Sequence, residues 1–451
     1  MLIPLMLNAC SFQQYQAKPI DTQANLAKLS EKDPNGPAFQ AFLIAHGYKS
    51  DQLPVQNWGL EDLTYCALFF HPSLDLAKAK SQAAALSVAT TAESAIPTLN
   101  ALSRRSNGRN QIIKPYALDF SVDVPLDLVK KGEIRVENAQ HLFEMSELEL
   151  AQTAWQLRNA IAQIWLEYQF NQEQIQLLNK AQIQHQAIIA IHEKRLALGL
   201  ASNLDMNAAK LLLQSNESQL NQAQQQSLIL QNHLASNAGL PIAQLKKMTL
   251  KKDEGVQVKQ IWQLEEIKKT ALLNRIDLRI ALLRYATMED KLKLEIANQY
   301  PDLVISPGYA YEFGDSIWSL GFSGLMTFLN KNKAAIAEAR QLREVEGAAF
   351  DVLQNKIIGD THAAYSELMA AQDTVEKHRK ILLTQEDQER RMAKLLTAGQ
   401  IDRLAFTLAK LETVLAEKNL ATAQYQYNVA VRKLENLMEK PLTSAGVNYE
   451  S

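Results

Sequence analysis

Two hydrophobic periods divide this chain. The shorter is a period of two. Leu303, Ile305, Tyr309, Tyr311 and Phe313 share one set of positions, with Val304, Ser306, Gly308, Ala310 and Glu312 between them. A Gly314-Asp315 turn follows, and Trp318, Leu320 and Phe322 then alternate with Ser319, Gly321 and Ser323. The pattern predicts a β-hairpin at about 301–328 with one aromatic, apolar face and one small or polar face. A second hairpin is predicted at about 97–126. There Tyr116, Leu118, Phe120, Val122 and Val124 alternate with Ala117, Asp119, Ser121 and Asp123, after an Asn107-Gly108 turn. Asp119 and Asp123 need water on their face of the strand. An ordinary antiparallel sheet on a core provides it, and so does a transmembrane barrel with lipid outside and a wet lumen. In the barrel, Asp119 and Asp123 face the lumen, while Phe120, Val122, Tyr309, Tyr311, Trp318, Leu320 and Phe322 face lipid. Two hairpins cannot close a barrel, so that arrangement requires several chains.

The longer period is helical. Leu404, Leu408, Leu411 and Leu415 are spaced four, three and four apart, and Tyr427, Val431, Leu434 and Met438 repeat the rhythm of a heptad seam. Residues 133–198, 200–238, 360–398 and 400–440 contain neither Gly nor Pro. Stretches this long, rich in Ala, Gln, Leu, Glu and Lys, predict helices of up to roughly 100 Å that survive by packing as antiparallel coiled coils. Gly199 and Gly399 break them where the chain must reverse, and Ser202 and Asp402 are the expected N-caps of the returning helices.

The halves correspond. Lys194-Arg195-Leu196-Ala197-Leu198-Gly199 answers Lys394-Leu395-Leu396-Thr397-Ala398-Gly399, 200 positions later, and Leu204, Ala209, Lys210 and Leu211 answer Leu404, Ala409, Lys410 and Leu411. Upstream the offset is 204, pairing Ala67 with Ala271, Leu74 with Leu278 and Pro97 with Pro301. The extra four residues fall at Ser103-Arg104-Arg105-Ser106-Asn107-Gly108-Arg109, expected as a solvated hairpin tip, with contact to lipid phosphates as the sharper alternative. A mainly α fold with a small β part and an internal two-fold repeat follows. Repeat 1 is assigned to 56–241 and repeat 2 to 265–441, each running helix, hairpin, long helix, turn, long helix. Residues 242–264 link them, 11–55 form an extended N-terminal linker, and 442–451 are a tail.

A net charge of −2 gives no electrostatic case for nucleic acid. No stretch approaches the roughly 20 apolar residues of a spanning helix, so a membrane crossing falls to strands. Residues 1–10 end in Leu7-Asn8-Ala9-Cys10, which resembles the remnant of a lipobox whose cysteine is acylated; the short, uncharged start departs from the usual signal. Cys66, within Leu63-Thr64-Tyr65-Cys66-Ala67-Leu68, is expected as a core residue. The chain has no phosphate loop, nucleophile elbow, CxxC or HExxH. No catalytic residue, metal site or cofactor is therefore expected, and His185 and His192 stand about 10 Å apart on one helix face, too far to share an ion.

This order resembles the TolC-type outer-membrane efflux factor family, and nearly the whole chain from Cys10 to Pro441 fits it. The carrying stretches are Leu63…Ala67…His71-Pro72-Ser73-Leu74…Ala77, then Tyr300-Pro301-Asp302-Leu303…Gly308-Tyr309…Tyr311…Gly314…Trp318-Ser319-Leu320-Gly321, then Asn330-Lys331-Asn332-Lys333-Ala334. Several features resemble the branch serving heavy-metal and multidrug exporters of the RND type, particularly CzcC-like proteins. The resemblance implies a lipid-anchored homotrimer in the bacterial outer membrane. Three chains would share one β-barrel and an α-barrel reaching through the periplasm to an adaptor protein and an inner-membrane RND-type pump. It implies passive conduction of exported metal cations or drugs. The expected adaptor contacts are Leu198, Gly199, Leu200, Ala201, Ala398, Gly399, Gln400 and Ile401. Asp205, six after Gly199, matches the family's entrance acid; its counterpart is Ala405, with Asp402 nearby. The plainer reading of Asp205 is a solvated carboxylate in the first turn of a helix, favoured by its dipole. A type I protein-secretion duct shares the fold, and a non-conducting coiled-coil scaffold explains the heptads without the hairpins.

Overall fold

The computed structural model describes residues 13–93, 95–105, 116–252, 263–312, 314–324 and 331–440. The chain opens with α1 (Thr22–Ser30), α2 (Pro37–Ala45) and a two-residue strand β1 (Asn57–Trp58). It continues through α3 (Leu60–Phe70), α4 (Pro72–Ala92), β2 (Thr98–Arg105), β3 (Tyr116–Leu126), α5 (Lys131–Ala197) and α6 (Asn203–Asn237). A short α7 (Ile242–Leu245) and β4 (Thr249–Leu250) lead to α8 (Leu264–Asn274), α9 (Ile276–Ala297), β5 (Leu303–Glu312), β6 (Asp315–Gly324), α10 (Lys333–Thr397) and α11 (Arg403–Met438). From α3 and again from α8, the order is helix, helix, hairpin, long helix, long helix.

At 67 residues, α5 is about 100 Å long. No helix among the described residues is both long and apolar enough to cross a membrane. The long helices are held laterally: α5 packs on α4, α6, α9 and α11, and α10 on α9 and α11. Two apolar cores grip them midway. In the first, Phe39, Leu43, Leu63 and Cys66 close on Ile161, Trp165 and Leu234. In the second, Ile267, Ala271 and Leu278 close on Ile357, Ala364, Val431 and Leu434. Each core thus joins a short helix to the middle of one long helix and the end of the next.

The first core corrects the reading of 11–55 as an extended linker. Residues 22–30 and 37–45 are helical, and Phe39 and Leu43 are about as buried as any side chain in the protein. Lys32 fastens the segment, donating to the Phe70 carbonyl at 2.6 Å and the Gly239 carbonyl at 3.1 Å. Burial raises the Cys66 thiol pKa well above its ordinary value, as suits a packed and unreactive side chain. Cys10 lies outside the described residues.

Of the two heptad seams, Val431, Leu434 and Met438 are fully buried and Leu411 nearly so. Leu408 and Leu415 remain exposed, because a single chain offers α11 no partner on that side.

The junctions from strand to long helix use one backbone device twice. Lys130 before α5 and Asn332 before α10 both take left-handed dihedrals, with φ of 60° and 46°. Asp127 accepts the Lys131 N–H at 2.8 Å and also holds the Gly132 N–H. Lys131, itself buried, donates to the Tyr300 carbonyl at 2.9 Å and Asp302 at 2.7 Å; Asn332 donates to the Glu295 carbonyl at 2.9 Å. Both junctions are therefore pinned near the end of α9.

Candidate functional site

The hairpins merge into one antiparallel sheet of order β2-β3-β5-β6. Its register aligns Ala101, Phe120, Tyr309 and Trp318 in one row, and Leu303 beside both Leu126 and Gly324. Directly opposed residues share a face, so each strand's period of two becomes a property of the whole sheet. One face carries Leu118, Phe120, Val122, Val124, Ile305, Tyr309, Tyr311, Trp318, Leu320 and Phe322. Trp318 is 83% exposed and Phe322 71%. Tyr309 meets Trp318 edge-on at 5.1 Å. Eleven residues of β3 rise about 33 Å, and a barrel tilt near 40° reduces this to about 25 Å, the height of a lipid-facing apolar band.

The opposite face carries Asn100, Arg104, Asp119, Ser121, Asp123, Ser306, Gly308, Glu312, Ser319 and Gly321, with Leu102 and Ile317 among them. Asn100 donates to Asp123 at 2.8 Å, and Arg104 pairs with Asp119 at 2.9 Å and with Glu312. Gly308 lets the strands lie close here: a Cβ would meet Ser319 Oγ at 2.8 Å and the Phe120 carbonyl oxygen at 3.1 Å, so a larger residue would make the Ser319 side chain move. The register thus places Asp119 and Asp123 on the polar face, and Phe120, Val122, Tyr309, Tyr311, Trp318, Leu320 and Phe322 together on the other.

One expectation is corrected. Ser103, Arg104 and Arg105 are not hairpin tip but the end of β2, because backbone pairing runs to Arg105↔Tyr116. The two arginines consequently point to opposite faces. Arg105 lies over the Tyr116 ring, 5.7 Å from its centroid. Asn107, Gly108, Arg109 and Phe313 lie outside the described residues. Strands β2 and β6 pair on one side only, and every residue of both is exposed.

At the far ends of the long helices the chain turns twice. Gly199 (φ 71°) and Gly399 (φ 69°) sit in left-handed geometry. Leu200 N–H returns to the Arg195 carbonyl and Gly199 N–H to Leu196, at 2.7 and 3.0 Å; Gln400 and Gly399 make the same bonds to Leu395 and Leu396. Both turns are Schellman motifs. Ser202 caps α6 by accepting the Asp205 N–H at 3.1 Å, and the Asp205 carboxylate reaches back to the Ser202 N–H at 3.0 Å and hydroxyl at 2.7 Å. These bonds from Ser202 hold the Asp205 carboxyl below its usual range. Asp402 caps α11 through the Ala405 N–H at 2.8 Å and pairs with Arg195; the backbone bond leads in lowering its pKa. Leu198 and Leu200 are more than 70% exposed, Ala398, Gly399 and Gln400 are exposed, and Ala201 and Ile401 are half-buried. The capping of Asp205 and the Arg195 link were missed in the sequence. Ser202 and Asp205, at N-cap and N3, carried the signal for the first; the second joins distant segments and had none.

The described residues hold no cluster able to bind a metal ion. No curated protein sequence matches the chain. Its fold is shared with three solved structures. The outer-membrane channel OprN aligns with a TM-score of 0.70 at 17% identity, over 85% of this chain and 90% of that one. The outer membrane protein VceC from Vibrio cholerae aligns at 0.69 and 17%, over 85% and 97%. CusC, whose transmembrane channel formation has been described structurally, aligns at 0.69 and 16%, over 86% and 96%. At such identities these likenesses establish the fold alone. In sequence, residues 63–240, which take in the first hairpin and the helices from α3 to α6, match the outer membrane efflux protein family.

Proposed function

We propose that this protein is the outer-membrane channel subunit of a tripartite efflux assembly, conducting exported solutes passively from an inner-membrane pump and a periplasmic adaptor. The observation that carries this reading is the four-stranded sheet. It is apolar on one face and polar on the other, spans about the height of a bilayer, and has open edges at β2 and β6. Open edges demand closure by further copies, and three chains would give a barrel of twelve strands. The exposed Leu408 and Leu415 would be covered in the same assembly. The equal order of elements in the two halves supports a duplicated origin, with repeats at 56–241 and 265–441.

In this assembly Asp119 and Asp123 line the lumen, and Phe120, Val122, Tyr309, Tyr311, Trp318, Leu320 and Phe322 face lipid. The turns at Gly199 and Gly399, with Leu198, Leu200, Ala201, Ala398, Gln400 and Ile401, form the periplasmic end that meets the adaptor. Asp205 and Asp402 stand at the entrance. Their capping bonds support a structural role there, which an electrostatic role at the entrance can accompany. Acylation of Cys10 would add an anchor to the same membrane. The test is planar-bilayer recording of purified full-length protein with its oligomeric mass measured in parallel. A trimer with discrete currents is expected; an elongated monomer or dimer that never conducts would favour a coiled-coil scaffold instead.

A further inference from the structure

Charge on the polar face of the sheet is gathered at one end. Arg104, Ala117, Glu312 and Asp315 form the last complete row before the hairpins end, and Leu102, Asp119, Ala310 and Ile317 form the next row. Towards the helices the same face is lined by Asn100, Ser121, Ser306, Gly308, Ser319 and Gly321, with Asp123 its one charged group among the described residues. The end rows therefore hold three carboxylates and a single cation. That cation is placed by design of the register. Arg104 on β2 reaches across β3 to Glu312 on β5 and also holds Asp119 at 2.9 Å, so that Ala117 beneath is wholly covered on an otherwise open face. The next residue, Arg105, is on the opposite face, over the Tyr116 ring, and does not line this one.

We propose that Arg104 is the residue that sets the ion preference of the channel's outer mouth. The inference rests on the channel reading above. In a pore the rows of neighbouring chains face one another across water bounded by low-dielectric walls, where charges within a Debye length, about 10 Å at 0.1 M salt, act together. Asp119, Glu312 and Asp315 then make a cation-attracting collar. Arg104 offsets part of it and keeps the collar from holding cations too firmly to release. Cationic and neutral solutes leave through this mouth more readily than anions.

The experiment is the reversal potential of full-length protein in planar bilayers under a KCl gradient near 0.1 M. Arg104→Gln is expected to raise the K⁺/Cl⁻ permeability ratio at least about twofold, and Asp315→Asn to lower it. Both shifts shrink near 1 M salt, where the screening length falls to about 3 Å. Asp315→Asn leaves the Arg104 pairs intact, so it carries the test alone should Arg104→Gln fail to assemble. Currents whose ratio Arg104→Gln leaves unchanged, or, should that variant not assemble, whose ratio Asp315→Asn leaves unchanged, would overturn the inference and leave the channel standing. A wild-type trimer without current would overturn both.

Discussion

Arg195, in the last turn of α5, pairs with Asp402, the N-cap of α11, 207 residues further on. One carboxylate oxygen of Asp402 faces the guanidinium while the other accepts the Ala405 N–H. The turn of one long hairpin is thus tied to the first turn of the other. Asp402→Ala removes both bonds and should cost about 1 kcal/mol locally, an approximately fivefold faster amide exchange at Ala405. Arg195→Gln removes only a largely exposed ion pair and should change that exchange by less than about twofold. Equal effects from both substitutions would contradict this division.

Acid should loosen the same end of the molecule. The Asp205 and Asp402 carboxyls are both held below the ordinary aspartate value, by Ser202 and by the Ala405 N–H respectively. A carboxyl whose pKa is depressed on folding contributes stability that is complete above its unfolded value, near 4, and is lost as pH falls through the lower folded value. Spin-label mobility at Leu200 should therefore stay constant from pH 7 to about 5 and rise only below about 4. A rise centred between pH 6 and 7 would contradict it.

Gly199 and Gly239 have nearly the same φ, 71° and 70°, in different surroundings. A Cβ at Gly199 would meet nothing within 4 Å, whereas at Gly239 it would meet His71 N and the Phe70 carbonyl carbon at 2.8 Å. Gly199→Ala should cost only the strain of holding a Cβ-bearing residue in left-handed backbone, about 1 kcal/mol. Gly239→Ala adds a clash between backbones in the first core and should be destabilising by several kcal/mol, read as a much lower midpoint of thermal unfolding.

Lys131 is 4% exposed, with its ammonium shared between the Tyr300 carbonyl and Asp302. Lys131→Met keeps the stem's packing and leaves the carbonyl without this donor, at a cost of about 1–3 kcal/mol. The loss should appear as faster amide exchange at the start of α5 and of β5 together, since the contact joins them. A change confined to α5 would show that the junction is held by Asp127 alone.

Local physics made much of this legible in sequence. The absence of Gly and Pro from 133–198 nearly reproduces α5, and the alternation around Phe120 and Trp318 carries directly into the sheet's two faces. Where the pattern was weak, the reading failed. In β2 the apolar positions hold Leu99, Ala101 and Ser103, too mild an alternation to reveal that pairing continues to Arg105. In the N-terminal segment, the polar run from Ser11 to Pro37 reads as linker, although Phe39, Phe42 and Leu43 just beyond it stand at helical spacing. Contacts such as Lys131 with Asp302 or Arg195 with Asp402 join residues about 170 and 207 apart, and no local period encodes them.

Asp119 and Phe120 are neighbours in the chain and belong to opposite faces of the sheet, which makes them the most direct test of a channel. Each is replaced in turn by cysteine in full-length protein, with the unsubstituted protein as the control for Cys10 and the buried Cys66, and a charged, water-soluble thiol reagent is applied during bilayer recording. The account predicts that Asp119→Cys reacts and that its current falls stepwise as the copies are modified, while Phe120→Cys neither reacts nor changes its current. Equal reactivity at both positions, or modification at 119 without any effect on current, would contradict it.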